Sequence, residues 1–156
     1  MLPEGARVAI PAFREDGWLP EGHWQATWEE MEERCGGEAG SQRRKLFAQL
    51  TEWRDALRRL QIAGVLILDG SFVSAKERPA DIDAIFVSDV DSMETIATEP
   101  EAAHLLSYVR MKEFGFGDLF FFTETAVRDF PALCRLDGFD ADSRSGKSKG
   151  VLRIRI

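Results

Sequence analysis

The residues of this chain whose spacing points most clearly to chemistry are two aspartates, Asp81 and Asp83, at the start of an apolar segment that ends at Val87. Because side chains alternate along a β-strand, both carboxylates would point to one face, with Cβ atoms roughly 7 Å apart. Ile82 and Ala84 would point to the other face, into the core. Adjacent like charges repel, and a shared cation would offset that repulsion. The pair predicts a site for a hard divalent cation, Mg²⁺ (or Mn²⁺), because carboxylate oxygens suit such ions.

A second motif, Gly70-Ser71, follows a short apolar run, and nine residues separate Ser71 from Asp81. Glycine lets the backbone approach a ligand closely, and a serine hydroxyl with nearby N–H groups can bind phosphate oxygens. Lys76 and Arg78, in the intervening loop, are further candidate nucleotide-binding residues. A tight turn followed by a strand-initiating Asx cap would use the same residue types. The joint spacing favours a combined phosphate and metal site.

Two helices are predicted ahead of these motifs. Thr27 and Glu30 have the form of a capping box, which predicts a short helix from about Trp28 to Arg34. Leucines and a tryptophan recur at helical spacing from Gln42 to Leu60, with Ser41 as the expected N-cap.

Four segments have the short apolar form of strands: Val65 to Leu68, Asp81 to Val87, Asp118 to Phe122 and Val151 to Ile156. Arg153 and Arg155 alternate in the last segment, which predicts that one face of it is solvated. Combined with the helical segments, this order predicts a single-domain α/β (α+β) fold with a small mixed sheet flanked by helices.

Two more helical segments are expected between the later strands. The first runs from Ser92 to about Lys112 and ends before a glycine-rich break at Gly115-Phe116-Gly117. The second runs from about Glu124 to Arg135, and Pro131 should kink or shorten it.

The two ends of the chain are predicted to be less regular. We expect residues 1–40 to form an N-terminal arm and short helix packed on the domain, and residues 41–156 to form the core with a C-terminal hairpin and strand. Lys147 and Lys149, in a Ser/Gly-rich part of that hairpin, could reach a triphosphate, but lysines in such loops are usually solvated.

Composition limits the partners and the compartment. The 156 residues carry a formal net charge of −7, which opposes tight nonspecific binding to a nucleic-acid backbone. No segment approaches the roughly 20 apolar residues of a membrane span, so no membrane partner is expected. Cys35 and Cys134 match no metal-binding spacing and are expected to be free thiols. These features predict a cytoplasmic protein.

The combination of Gly70-Ser71 with Asp81-x-Asp83 on an apolar strand resembles the signature of the nucleotidyltransferase superfamily that includes DNA polymerase β. The similar segment is Val65 to Val87, and the order of elements extends it to about Phe122. The segment from Phe13 to Gly22, FREDGWLPEG, also resembles the opening of a family of small bacterial nucleotidyltransferase-like proteins.

The resemblance implies a nucleotidyltransferase fold and a Mg-dependent reaction. In that reaction a nucleoside monophosphate passes from a nucleoside triphosphate (NTP) to a hydroxyl of a protein, RNA or small molecule, and pyrophosphate leaves. Gly70 and Ser71 would bind phosphates, and Asp81 and Asp83 would bind two metal ions. A third carboxylate on a neighbouring strand would help to deprotonate the acceptor. Asp118 is the best candidate, and a turn-capping role after Gly117 is the alternative.

The chain departs from the superfamily in two respects. It has Phe72 to Lys76 where many small members carry a further glycine, and it lacks the helical domain with which larger members bind base and acceptor. A second hypothesis is therefore a catalytically weak or inactive binding protein on the same scaffold. It would be one component of a toxin–antitoxin or phage-defence pair, with the cognate toxin or antitoxin as partner. A third is a nucleotide sensor in which binding orders the arm at Ile10 to Gly22.

Overall fold

The computed structural model describes residues 10–127, 129–136 and 138–156. Within these residues one mixed sheet contains five strands: β1 His23–Ala26, β2 Gly64–Asp69, β3 Ile82–Ser88, β4 Phe116–Thr123 and β5 Val151–Arg155. Their order in the sheet is β1-β5-β2-β3-β4. The two outer pairs, β1 with β5 and β3 with β4, are parallel, whereas β2 is antiparallel to both of its neighbours. The predicted single-domain α+β class, with a small mixed sheet, is confirmed.

The α-helices of the described residues are α1 Trp28–Cys35, α2 Gln42–Arg59, α3 Met93–Thr98, α4 Pro100–Leu105 and α5 Phe130–Leu136. The predicted capping box at α1 is present, because Thr27 Oγ1 accepts from the Glu30 amide and Glu30 Oε2 accepts from the Thr27 amide. Ser41 caps α2 by accepting from the Arg44 amide. None of the described helices is long and apolar enough to span a membrane.

Both faces of the sheet are covered. On one face, α1 and α2 pack against a core that includes Leu66, Ala84 and Phe86. On the other face, Ile67 and Ile85 lie in a smaller apolar cluster that is covered by residues of α5 and of the segment that follows it. Burial on two sides explains why the central strands read as continuous apolar runs rather than as alternating ones.

The prediction of one helix from Ser92 to Lys112 was wrong. Glu99 has extended backbone angles (φ −88°, ψ 116°), and Pro100 begins a new helix after it. A residue before proline avoids the helical region because the proline ring clashes with it, which separates α3 from α4. After α4 the chain turns, and a short 3₁₀ segment, Met111–Phe114, leads into β4.

Three other expectations needed correction at the edges of the sheet. The arm contributes β1, an edge strand that the sequence did not predict. The expected break at residues 115–117 is only partial, because β4 already begins at Phe116. Arg153 is not solvated but half-buried, with its guanidinium 4.4 Å from the Phe130 ring centroid; Arg155 is exposed, as expected. The predicted start of the last helix at Glu124 was also wrong, because Glu124–Ala126 forms a separate 3₁₀ segment and α5 begins at Phe130. The helix is shorter than its predicted span, and Pro131 lies in its first turn.

Candidate functional site

Three aspartates lie in a row across three adjacent strands, β2, β3 and β4, near one end of them. In the strand register Asp69 on β2 pairs with Asp83 on β3, and Asp83 pairs with Asp118 on β4. Asp81 immediately precedes β3, on the same face as Asp83 by alternation. Ile82 is fully buried in the core of the opposite face, as predicted. The structure therefore brings the predicted metal-binding residues Asp81, Asp83 and Asp118 to one end of two parallel, adjacent strands.

A bulge in β4 brings Asp118 into register. Ile82 pairs with Phe116, but the next residue, Asp83, pairs with Asp118, so Gly117 is the extra residue. The amide of Asp118 donates a hydrogen bond of 3.1 Å to Asp83 Oδ1. Burial, together with the charges of Asp81 and Asp118, raises the pKa of Asp83 to about 6. The carboxylates of Asp81, Asp83 and Asp118 thus repel one another in the folded protein.

Two glycines leave room for these carboxylates. At Gly70 a Cβ atom would lie 2.5 Å from Asp83 Oδ2, and the residue has φ +76°, a conformation that favours glycine. At Gly117 a Cβ atom would lie 2.6 Å from Asp81 Oδ2 and 3.0 Å from Asp83 Oδ1. Any larger residue at either position would displace a carboxylate. Gly70 was predicted to let the backbone approach phosphate, whereas the side chain closest to its missing Cβ atom is that of Asp83.

Asp69 forms a buried ion pair that the sequence did not reveal. Lys149 Nζ lies 3.0 Å from Asp69 Oδ1 and 3.1 Å from Oδ2, and the ammonium lies 4.4 Å from the Trp18 ring centroid. Burial raises the pKa of Asp69 to about 6 despite the opposing effect of Lys149. Only 6% of Lys149 is exposed, so the expectation that it is solvated was wrong, whereas Lys147 is exposed. Nothing local could have indicated this pairing, because 80 positions separate the two residues.

The Gly70-Ser71 turn continues into a 3₁₀ segment, Ser71–Val73, and a single arginine of α2 holds the loop that follows. The Arg43 guanidinium donates to five backbone carbonyls: those of Cys35, Ser71, Phe72, Ser74 and Lys76. A planar guanidinium with several fixed donors suits this role better than an ammonium would. This role of Arg43 was not predicted, because 28 positions separate it from Ser71 in the chain.

The turn opens onto a cleft of about 800 Å³ between the arm, the loop and the segment 142–149 that precedes β5. Its polar lining contains four basic and four acidic side chains: Lys76, Arg144, Lys147, Lys149, Glu15, Asp16, Asp83 and Asp142. Gly70, Ser71 and Trp18 also line it. Of the two basic residues predicted in the loop, Lys76 lines the cleft, whereas the exposed Arg78 is not among the described residues that do so. Asp81 and Asp118 adjoin the cleft through Asp83.

The chemistry of these residues fits a hard divalent cation, since carboxylate oxygens are its preferred ligands. Burial, and after it repulsion from Asp81 and Asp118, raises the pKa of Asp83. The missing side chains at Gly70 and Gly117 let the carboxylates of Asp81 and Asp83 approach the backbone closely. Among the described residues, however, no three His, Cys, Asp or Glu side chains already have the arrangement of a metal site. The aspartates form a row of neighbouring carboxylates, and rotation of their side chains would be needed to bring three of them to one ion.

Fold and site together define an α+β protein with a polar cleft beside a row of carboxylates. A family model matches residues 11–155, and its description is a family of unknown function, DUF6932. The chain belongs to that family. No curated protein matches it, and no solved structure does.

Proposed function

We propose that this protein is a Mg-dependent nucleotidyltransferase that transfers a nucleoside monophosphate from an NTP to a hydroxyl group. The observation that carries the proposal is the strand register, which aligns Asp83 with Asp118. These aspartates lie beside the cleft that Gly70 and Ser71 line. Binding of a metal–triphosphate requires carboxylates for the metal ion and a cleft with glycine and lysine residues for the phosphates.

Each part of the site has a distinct role in this proposal. Ser71 and Lys76 would bind the triphosphate in the cleft, where their hydroxyl and ammonium groups meet phosphate oxygens, whereas the buried Lys149 pairs with Asp69. Asp81, Asp83 and Asp118 would hold Mg²⁺, which when bound would neutralise charge on the reacting phosphates. Asp118 lies at the end of the row farthest from β2, and it would accept the proton of the attacking hydroxyl.

The cleft also suits the nucleoside. Trp18 lines the cleft together with Ser71 and Lys76, so an indole side chain lies beside the phosphate-binding residues. Nucleobases stack on aromatic side chains with little dependence on which base is present. We further propose that the reaction takes place in the cytoplasm, with a protein, RNA or small molecule as acceptor.

The experiment is label transfer. Purified protein is incubated with each α-labelled NTP, MgCl₂ and cell extract, and labelled products are separated by size and by nuclease and protease sensitivity. Wild-type protein should transfer label, and Asp81→Ala combined with Asp83→Ala should not. The matched control, Asp91→Ala with Glu94→Ala, removes two exposed acidic groups elsewhere and should transfer label normally.

Two results would reject the proposal: the absence of transfer with any NTP, or equal transfer by the Asp81 and Asp83 double variant. Calorimetry on the same samples separates binding from turnover. Magnesium-dependent NTP binding without transfer would support instead the nucleotide-binding scaffold protein, the alternative that the sequence raised.

A further inference from the structure

Tyr108 is the only tyrosine of the chain, and its side chain reaches the carboxylate row from outside the cleft. It lies in the turn between α4 and the 3₁₀ segment Met111–Phe114, and 57% of it is exposed. Its ring packs against Phe120 of β4 at a centroid distance of 6.1 Å. Its hydroxyl donates to Asp118 Oδ1 at 3.3 Å. An exposed phenol is thus held beside the last aspartate of the row.

The order of the strands determines the spatial order of these groups across the sheet. Gly70 and Ser71 follow β2 and line the cleft, Asp83 lies on the adjacent β3, and Asp118 lies on β4 beyond it. Tyr108 contacts Asp118 and therefore lies at the opposite end of the row from Lys149. A nucleotide in the cleft and the Tyr108 hydroxyl would flank the same carboxylates.

We propose that Tyr108 is an acceptor for the protein's own reaction, so that the chain attaches a nucleoside monophosphate to itself. This inference rests on the proposed function. It is carried by the hydroxyl's contact with Asp118, the carboxylate that would take up the acceptor's proton. Hydrogen bonds of catalytic groups are often long before substrate binds, which is consistent with a distance of 3.3 Å.

The step balances without a further reactant. The Tyr108 oxygen attacks the α-phosphorus of the NTP and forms a new P–O bond. The bond between the α-phosphorus and the oxygen that bridges to the β-phosphate breaks, and pyrophosphate leaves with that electron pair. The phenolic proton passes to Asp118 and then to solvent. The product is a phosphodiester between the tyrosine oxygen and the nucleoside monophosphate.

The contact is within one chain, which makes a kinetic prediction. Because the Tyr108 hydroxyl is hydrogen-bonded to Asp118 of the same molecule, modification occurs in cis. The fraction of protein modified per unit time should then be independent of protein concentration. A reaction between two molecules would instead accelerate as the concentration is raised.

The test is intact-mass spectrometry of the full chain after incubation with each NTP and MgCl₂, followed by peptide mapping. The wild type should gain one nucleoside monophosphate per chain, mapped to Tyr108. Tyr108→Phe should not gain it, whereas the matched control Ser107→Ala, which removes the neighbouring hydroxyl, should gain it as the wild type does. Circular dichroism confirms that each variant is folded.

The outcomes separate this inference from the function on which it rests. Transfer to an acceptor in extract, with no nucleotide on Tyr108, would overturn the inference and leave the proposed function intact. Nucleotide mapped to another residue would overturn it as well. Transfer to neither extract nor Tyr108 would overturn both.

Discussion

The amide nitrogen of Asp118 lies 3.1 Å from Oδ1 of Asp83, and this bond joins two acidic residues of adjacent parallel strands at the centre of the site. The fold thereby holds carboxylates together although their charges repel, and the raised pKa of Asp83 reflects the cost of burying this carboxylate and of placing it beside Asp81 and Asp118. Groups that destabilise a fold are often retained for function.

Replacement of this carboxylate should therefore separate stability from activity. Asp83→Asn keeps an oxygen for the Asp118 amide and removes the repulsion, so we expect the free energy of unfolding at pH 7 to stay equal or rise by about 1–2 kcal/mol after allowance for solvent screening. Nucleotide transfer should be lost. Urea unfolding and label transfer measure the two effects. Asp91→Asn, an exposed charge removal, should alter neither. A marked loss of stability in Asp83→Asn would show that its carboxylate is structural.

The contribution of Asp69 and Asp83 to stability in chelator should fall as pH rises from about 4 to about 6. The pKa values of Asp69 and Asp83 are raised from 3.8 to about 6, so the folded state binds more protons than the unfolded state in this window. The stability that these two groups contribute is greatest below their pKa in the unfolded state. It is lost as they ionise in the folded state. Urea midpoints at several pH values measure this. The difference in urea midpoint between wild type and Asp83→Asn isolates the contribution of Asp83. If that difference does not change with pH, the raised pKa of Asp83 is contradicted.

Gly70→Ala should abolish nucleotide transfer. The added Cβ atom would lie 2.5 Å from Asp83 Oδ2, so the carboxylate must move. Positive φ alone costs a non-glycine residue about 1–3 kcal/mol, which a control must match. Gly40→Ala is that control, because Gly40 has φ +81° and no neighbour within 4 Å of the added atom. Both variants should lose stability, but only Gly70→Ala should lose activity. Equal activity of the two variants would contradict the proposed role of the glycine.

Lys149→Met should destabilise the fold strongly. It leaves Asp69 buried without its cation, and breaking a buried ion pair in this way costs about 3–5 kcal/mol. Adding Asp69→Asn to Lys149→Met should restore part of that loss, because the uncompensated charge is then gone. Lys147→Met, two residues away and exposed, should change stability by less than about 0.5 kcal/mol. Thermal and urea unfolding measure all four proteins, and an unaffected Lys149→Met variant would exclude a structural pair.

Arg43→Lys should weaken transfer more than it weakens the fold. The lysine keeps the charge but cannot reach five carbonyls, so the loop that follows Ser71 becomes less well positioned. We expect about a 10²-fold loss in transfer rate, the scale on which small misplacements act. Arg58→Lys, on the exposed face of the same helix, is the control and should retain full activity. Steady-state kinetics with the preferred NTP would show the effect, and a wild-type rate would contradict it.

Much of this protein could be predicted from residues that are close together in the chain. The capping box at Thr27 and Glu30, the helix from Gln42 and the strand that carries Asp83 all depend on interactions within a few positions. The effect of proline is equally local, so the break between α3 and α4 at Pro100 is encoded in the sequence even though helical periodicity continues across it.

The rest of the site depends on pairings between distant segments. Lys149 meets Asp69 because β5 lies beside β2, and the bulge at Gly117 decides that Asp118 aligns with Asp83. Arg43 and Tyr108 reach the site from elements whose local patterns carry no sign of it. Strand order and register depend on how the whole chain buries its apolar surface. Short motifs thus indicated which residue types could do the chemistry, whereas packing of the complete sheet determined which of them meet.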